Sequence, residues 1–291
     1  MARNKEYQIG VDIGGTKIAA VLLHNQKVIE SSILATPKDS FEHFLIMIKA
    51  ALDPLLARLE VAKGVLAGIG LGIPGVIDFE KEEIVIAPNL RFLDKIKLIP
   101  ALRELLGKPD LMVKLDNDAN CFTRAEAMIG AGRKATNVYG MTIGTGIGGG
   151  WFYKGEIYTG HHGGANEPNH MIVDFDELIT LGTAYQKLTQ HNAGLVAEEA
   201  YRGDILAEKM YEELGSYLGI ALSTIVNILD PEIIILGGGV LNSGSLFLDA
   251  TKENLKKYTF SPNSRSIRIV KAKLGPLAGA IGAGLMIDSS K

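Results

Sequence analysis

One pattern that occurs twice constrains this chain most. The run IGGTKIAAVLLHNQKVI begins at Ile13 and the run IGTGIGGGWFYKGEIY begins at Ile143. In each, a β-branched strand enters a glycine turn and a second strand leaves it, and the two turns lie about 130 residues apart. A repeat of that size predicts two similar α/β domains rather than one sheet with decorations. The length of 291 residues agrees, at about 150 residues per domain.

The rest of the chain fills out this plan. Tyr7 to Ile13, Ile18 to His24 and Lys27 to Leu34 read as a three-strand meander with tight turns. Phe41, Phe44, Leu45, Ile48, Leu52, Leu55, Leu56 and Leu59 recur at helical spacing. Val65 to Ile73 is an apolar strand that ends at Pro74-Gly75, and Val113 to Leu115 delivers Asp116-Asn117-Asp118 to a strand end before a helix over Ala119 to Met128. In the second copy Val138 to Ile143 and Gly148 to Tyr153 are strands and Glu156 to Tyr158 follows a Lys154-Gly155 turn. Val196 to Leu229 is helical in pattern, and the strand Glu232 to Leu236 ends at Gly237-Gly238-Gly239. Pro276 to Ile287 is a helix of small residues suited to close packing.

Composition excludes several classes. Apolar residues make up 47% and charged residues 22%, the balance of a globular rather than a disordered chain. The net charge is −3 with no block of like charges, which argues against nucleic acid as a partner. A single cysteine rules out a disulfide framework, and Cys121 reads as a small buried apolar side chain. The start of the chain shows no apolar signal region, so the cytoplasm is the expectation. Leu214 to Leu229 is polar-interrupted and too short to span a bilayer, so no membrane partner is expected.

The glycine turns carry the first chemical signal. Gly144, Gly146 and Gly149, and also Gly70, Gly72 and Gly75, fit G-x-G-x-x-G, but neither opens a helix as a dinucleotide site requires. No Walker A loop occurs. Gly14-Gly15-Thr16-Lys17 and Gly144-Thr145-Gly146 instead form paired hairpin turns whose amides can approach phosphate oxygens, with Thr16 and Thr145 as hydroxyl donors and Lys17 as a charge. Ordinary hairpins use glycine as well; the repetition, with a third cluster at Gly237, Gly238 and Gly239, favours a phosphate cleft. Asp118 at a strand end is either a helix cap or a catalytic carboxylate. Asp12, just before the first turn, can hold Mg²⁺ through water. Glu167 and His170 lie on one loop, with too few partners for zinc.

These motifs, in this order, resemble a known family. Asp12-Ile13-Gly14-Gly15-Thr16-Lys17, Gly72-Ile73-Pro74-Gly75, Pro88-Asn89-Leu90, Asn117-Asp118-Ala119, Gly144-Thr145-Gly146-Ile147-Gly148-Gly149 and Leu236-Gly237-Gly238-Gly239 are similar to those of ROK-family sugar kinases, over about Tyr7 to Ile287. The resemblance implies an α/β, actin-like fold of the hexokinase and ribonuclease H-like type, with two domains around a central cleft. A small domain over 1–118, completed by the helix 276–291, and a large domain over 119–275 are the expected division. The implied activity is ATP-dependent phosphorylation of a hexose, glucose first, with Mg²⁺ and with Asp118 as general base. Asp12, Gly14, Gly15, Thr16, Lys17, Gly144, Thr145 and Gly146 would hold the phosphates and metal, and Gly237 to Gly239 would border adenosine. Gly75, Asn89, Asn117, Asp118, Glu167, His170 and Glu177 would meet the sugar. A homodimer is also implied.

Departures from the family pattern bear on the sugar. Its E-x-G-H is Glu167-Pro168-Asn169-His170 here, and only six residues separate His170 from Glu177 where many members carry a cysteine-rich zinc loop. No structural zinc is therefore expected. Fructose, N-acetylmannosamine or N-acetylglucosamine are the alternative acceptors, with polyphosphate a remoter alternative donor. A sugar-responsive repressor of the same family would need a DNA-binding module, and only 11 residues precede Asp12. A non-catalytic nucleotide-binding scaffold is the third reading, and Asp118 with Glu167 and His170 argues against it.

Overall fold

The computed structural model describes residues 5–287. The outermost positions of the expected small domain and of the 276–291 helix lie outside that range. In chain order the elements are β1 (Glu6–Ile13), β2 (Lys17–His24), β3 (Lys27–Ala35), α1 (Phe41–Val61), β4 (Val65–Ile73), β5 (Val76–Asp78), β6 (Glu83–Ile86), α2 (Leu98–Leu105), β7 (Val113–Asn117) and α3 (Asp118–Met128). There follow β8 (Asn137–Ile143), β9 (Ile147–Tyr153), β10 (Glu156–Ile157), β11 (Ile172–Asp174), β12 (Ile179–Thr180), α4 (Leu181–Leu188), α5 (Ala193–Tyr201) and α6 (Ile205–Leu229). The chain closes with β13 (Ile233–Gly237), α7 (Leu248–Tyr258), β14 (Arg268–Lys271) and α8 (Ala278–Gly284).

Two compact units result. Among the described residues the first gathers 5–133, 155–165 and 273–287, and the second 134–154 and 166–272. The first unit's sheet has the order β3-β2-β1-β4-β7, antiparallel across β1–β2–β3 and parallel across β1–β4–β7. In the second unit the order is β9-β8-β13-β14, antiparallel at β8–β9 and parallel across β8–β13–β14. The shared plan is a hairpin followed by two parallel strands, so the sequence repeat is a repeat of topology.

Burial follows the periodicity. α1 starts at Ser40, whose side chain accepts from the His43 amide, and buries Phe44, Ile48, Leu52, Leu55 and Leu59 against the first sheet. Tyr139, Met141, Tyr211, Leu214, Leu218 and Phe247 form the centre of the second core. The helical pattern over Val196 to Leu229 resolves into two helices, α5 and α6. Gly203 takes a φ of +91°, and Asp204 caps α6 by accepting from the Leu206 and Ala207 amides.

The small residues of α8 have a specific use. A Cβ on Gly10 of β1 would collide with the Ala280 carbonyl, one on Gly70 with the Ala283 carbonyl, and one on Gly282 with the Cys121 carbonyl. Backbone therefore packs on backbone, and α8 is seated on β1, β4 and α3 by the absence of side chains. Just before α8, the chain is pinned by Glu126, which is fully buried near the end of α3. Its carboxylate accepts from the Lys273 and Leu274 amides at 2.8 and 2.7 Å and from the Ala131 amide at 2.8 Å.

Candidate active site

In the first unit the candidate residues converge at the carboxyl ends of β1, β4 and β7. The turn after β1 closes through the Gly14 amide, which donates to the Lys17 carbonyl at 2.9 Å. Thr36, just past β3, donates its hydroxyl to the Gly14 carbonyl at 2.7 Å. A Cβ on Gly15 would press on the Asn89 side chain at 3.2 Å, so the turn and Asn89 are neighbours. Gly75, with a φ of +138°, takes a conformation that L side chains avoid and lies against the Ile86 carbonyl.

The strand-end reading of Asp118 resolves into two jobs. Asn117 is the cap of α3, accepting from the Ala119 and Asn120 amides at 2.8 and 3.3 Å, while its amide nitrogen donates to the Gly75 carbonyl at 3.1 Å. Asp118 is thereby released from capping and becomes the first residue of α3, with Oδ1 accepting from the Ala119 amide at 2.9 Å. Behind them, Asp116 and Arg124 form a 2.5 Å ion pair with side chains only 4% and 14% exposed. Asp116 also accepts from the Asn117 amide and the Asn120 side chain, which fixes the strand–helix junction.

Asp12 lies close enough to feel this junction. Burial pushes its carboxyl up from 3.8 to about 7; the negative charge of Asp118 adds to the rise and Lys17 opposes it. Lys17 itself donates from Nζ to the Pro276 carbonyl at 3.4 Å. A divalent cation would offset both causes of the rise, so Asp12 fits the role of holding Mg²⁺ through water.

The second unit repeats the turn with different partners. The Gly144 amide donates to the Gly146 carbonyl at 2.9 Å. From α4, the Tyr185 hydroxyl donates to the Gly144 carbonyl and the Gln186 side chain to the Thr145 carbonyl, the latter at 2.8 Å. A Cβ on Gly144, Gly146 or Gly239 would meet nothing within 4 Å, so these backbones face open space. Gly238, at a φ of +94°, packs on the Ile143 carbonyl, and Gly237 pairs in register with Thr142. The two glycine clusters of this unit thus lie side by side.

The loop residues divide. Glu167 is partly buried at the start of a 3₁₀ turn, Pro168–His170; desolvation pushes its carboxyl up and His170 opposes the rise. His170 is exposed. Asn169, which stands where the family pattern has glycine, fills the side of Gly182 on α4. Glu177 sits on the exposed turn between β11 and β12, 62% exposed and 3.4 Å from Lys187. Asp174 organises that turn by accepting from the Asp176 and Glu177 amides, at 3.0 Å each. Among the described residues no three His, Cys, Asp or Glu side chains cluster as a metal site. Thr36, Tyr185, Gln186 and Arg124 support the site without belonging to any sequence motif.

Comparison with known proteins decides the family. The ROK family model matches residues 8–289. The chain belongs to the ROK family. It is 30% identical to an N-acetyl-D-glucosamine kinase of Erwinia tasmaniensis, over 95% of this chain and 98% of that one. It is also 30% identical to a glucokinase of Halalkalibacterium halodurans, over 98% and 96%. A ROK-family glucokinase from Streptomyces griseus, solved in complex with glucose and AMPPNP, superposes with a TM-score of 0.78 at 27% identity, covering 96% of this chain and 98% of that one. The actin-like, hexokinase-type fold is thereby this chain's fold.

Proposed function

We propose that this ROK-family chain transfers the γ-phosphoryl group of ATP to a hexose, with glucose as the first acceptor and Asp118 as general base. That it is an ATP-dependent sugar kinase follows from its family and from the kinases aligned along its length. The acceptor and the residue roles are the further step. The observation that carries them is the junction of β7 and α3, where Asn117 takes over the capping and leaves the Asp118 carboxylate at the strand end.

A sugar hydroxyl is a weak nucleophile near neutral pH. Asp118 accepts its proton as the oxygen forms a bond to the γ-phosphorus, the bond to the β–γ bridging oxygen breaks, and ADP departs. Assistance of this kind contributes about 10²–10⁴-fold. The remaining acceleration comes from positioning and charge. Thr16, Thr145 and the amides of both turns hold phosphate oxygens, Gly237 to Gly239 border the adenosine, and Gly75, Asn89, Asn117, Glu167, His170 and Glu177 orient the sugar. Asp12 would hold Mg²⁺, which when bound would neutralise phosphate charge.

A second acceptor class is favoured by one finding: at 30% identity the relatives divide between glucose and N-acetylglucosamine. A coupled ADP-release assay over hexoses and N-acetylhexosamines separates the two. Highest kcat/KM with glucose supports the first reading and with N-acetylglucosamine the second. ADP release independent of every sugar overturns both. The implied homodimer is part of the proposal, and sedimentation velocity at micromolar concentration checks it.

A further inference from the structure

Helix α4 touches two parts of the candidate site at once. Thr180 caps it by accepting from the Thr183 amide, and the Leu181 amide donates to the Met171 carbonyl at 2.8 Å. Gly182 in the same first turn is covered by Asn169, so this end of the helix braces the Glu167–His170 turn. The other end carries Tyr185, which is buried, and Gln186, which is partly buried. Their donors hold the carbonyls of Gly144 and Thr145, two consecutive residues of the glycine turn.

Those two hydrogen bonds fix more than two oxygens. In a trans peptide the C=O and the following N–H point in opposite directions within one plane. Drawing the Gly144 carbonyl towards Tyr185 therefore turns the Thr145 N–H away from α4. The Gln186 bond to the Thr145 carbonyl does the same for the Gly146 N–H. Successive amides aimed the same way form an anion-binding concavity, and the open sides of Gly144 and Gly146 leave room for the anion to approach.

We propose that Tyr185 and Gln186 are positioning residues for the nucleotide: they touch no phosphate, but they orient the Thr145 and Gly146 amides that do. The inference rests on the sugar-kinase reading. It adds to that reading a nucleotide-specific role for one end of α4 and a separate sugar-side role for the other.

The test is equilibrium binding of AMPPNP and of glucose, measured separately by titration calorimetry on the full chain, with thermal melting of each variant. Tyr185→Phe keeps the buried ring and Gln186→Met keeps a side chain of the same length without adding charge, so each removes little beyond the donor. Net hydrogen-bond energies of this kind correspond to about 3–10-fold each. The double variant is expected to bind AMPPNP about 10–100-fold more weakly, with glucose affinity and melting temperature held, and to show the same change in KM for ATP at nearly constant kcat. Unchanged AMPPNP binding in the double variant, or equal losses for both ligands with a lowered melting temperature, overturns the inference. A wild-type chain that binds AMPPNP and phosphorylates no hexose overturns the proposed function instead, and the binding comparison still decides this one.

Discussion

The two glycine turns solve one problem with different materials. In each, the carbonyl of the first glycine accepts a hydroxyl from another element: Thr36 at Gly14, Tyr185 at Gly144. In each, that same glycine closes the hairpin through its amide, at 2.9 Å. The surroundings then diverge. Two residues before Gly14 stands Asp12, coupled electrostatically to Asp118 and Lys17; two before Gly144 stands Thr142, which is neutral. Gly15 is crowded by Asn89, whereas Gly144 and Gly146 face open space. One turn shape carries charge beside it in the first unit and open space in the second. The shared part suits phosphate, and the difference gives the first turn a neighbouring carboxylate that the second turn lacks.

Breaking the charged side produces the largest effect. Asp118→Asn is expected to lower kcat by about 10²–10⁴-fold while AMPPNP binding persists. A kcat within threefold of wild type in steady-state assays would remove Asp118 from the base role. Arg124→Ala leaves Asp116 buried without its cation, and urea unfolding should show a loss of about 3–5 kcal/mol. A change under 1 kcal/mol would mean that water reaches Asp116 as readily as arginine does.

Asp12 gives the comparison a pH axis. Its folded value of about 7 lies above the ordinary 3.8, so between these values the folded chain binds a proton that the unfolded chain has lost. Stability in metal-free buffer therefore falls as pH rises through that window, by at most about 1.4 kcal/mol per pH unit. Asp12→Asn should flatten the slope; melting curves from pH 4 to 8 with an unchanged slope would refute it. No counterpart is expected from Thr142. The smallest effect belongs to the shared hydroxyl. Thr36→Val should weaken AMPPNP binding about 3–10-fold, matching Tyr185→Phe, and a loss in only one of the two would show that the turns are not equivalent.

Much of this arrangement is legible in the sequence because it is local. The hairpins over Tyr7 to His24 and Val138 to Tyr153 announce themselves through β-branched runs and glycine pairs, and the strand–helix junction at Asp116 to Asp118 through its cluster of Asp and Asn. The supporting residues are silent. Thr36 reaches back 22 positions to Gly14, and Tyr185 and Gln186 reach back 41 to Gly144 and Thr145. A side chain that meets a backbone carbonyl leaves no complementary residue to be noticed. Gly203 and Asp204 do carry a stop and a cap signal, but apolar periodicity on both sides masks the break between α5 and α6. Likewise α7 and β14 carry no motif; their fit to α6 and β13 defines them.

The seat of α8 has a consequence for how the chain is made. Residues 134–272, which hold every strand and helix of the second unit, leave the ribosome before Ala278 does. The first unit begins to emerge earlier but lacks α8, the helix that covers Gly10 and Gly70, until the end. Synthesis normally favours folding of the N-terminal domain first. Here the unit begun first is completed last, and a nascent chain halted at Ala272 carries every element of its second half beside a first half whose sheet is still bare where α8 will lie.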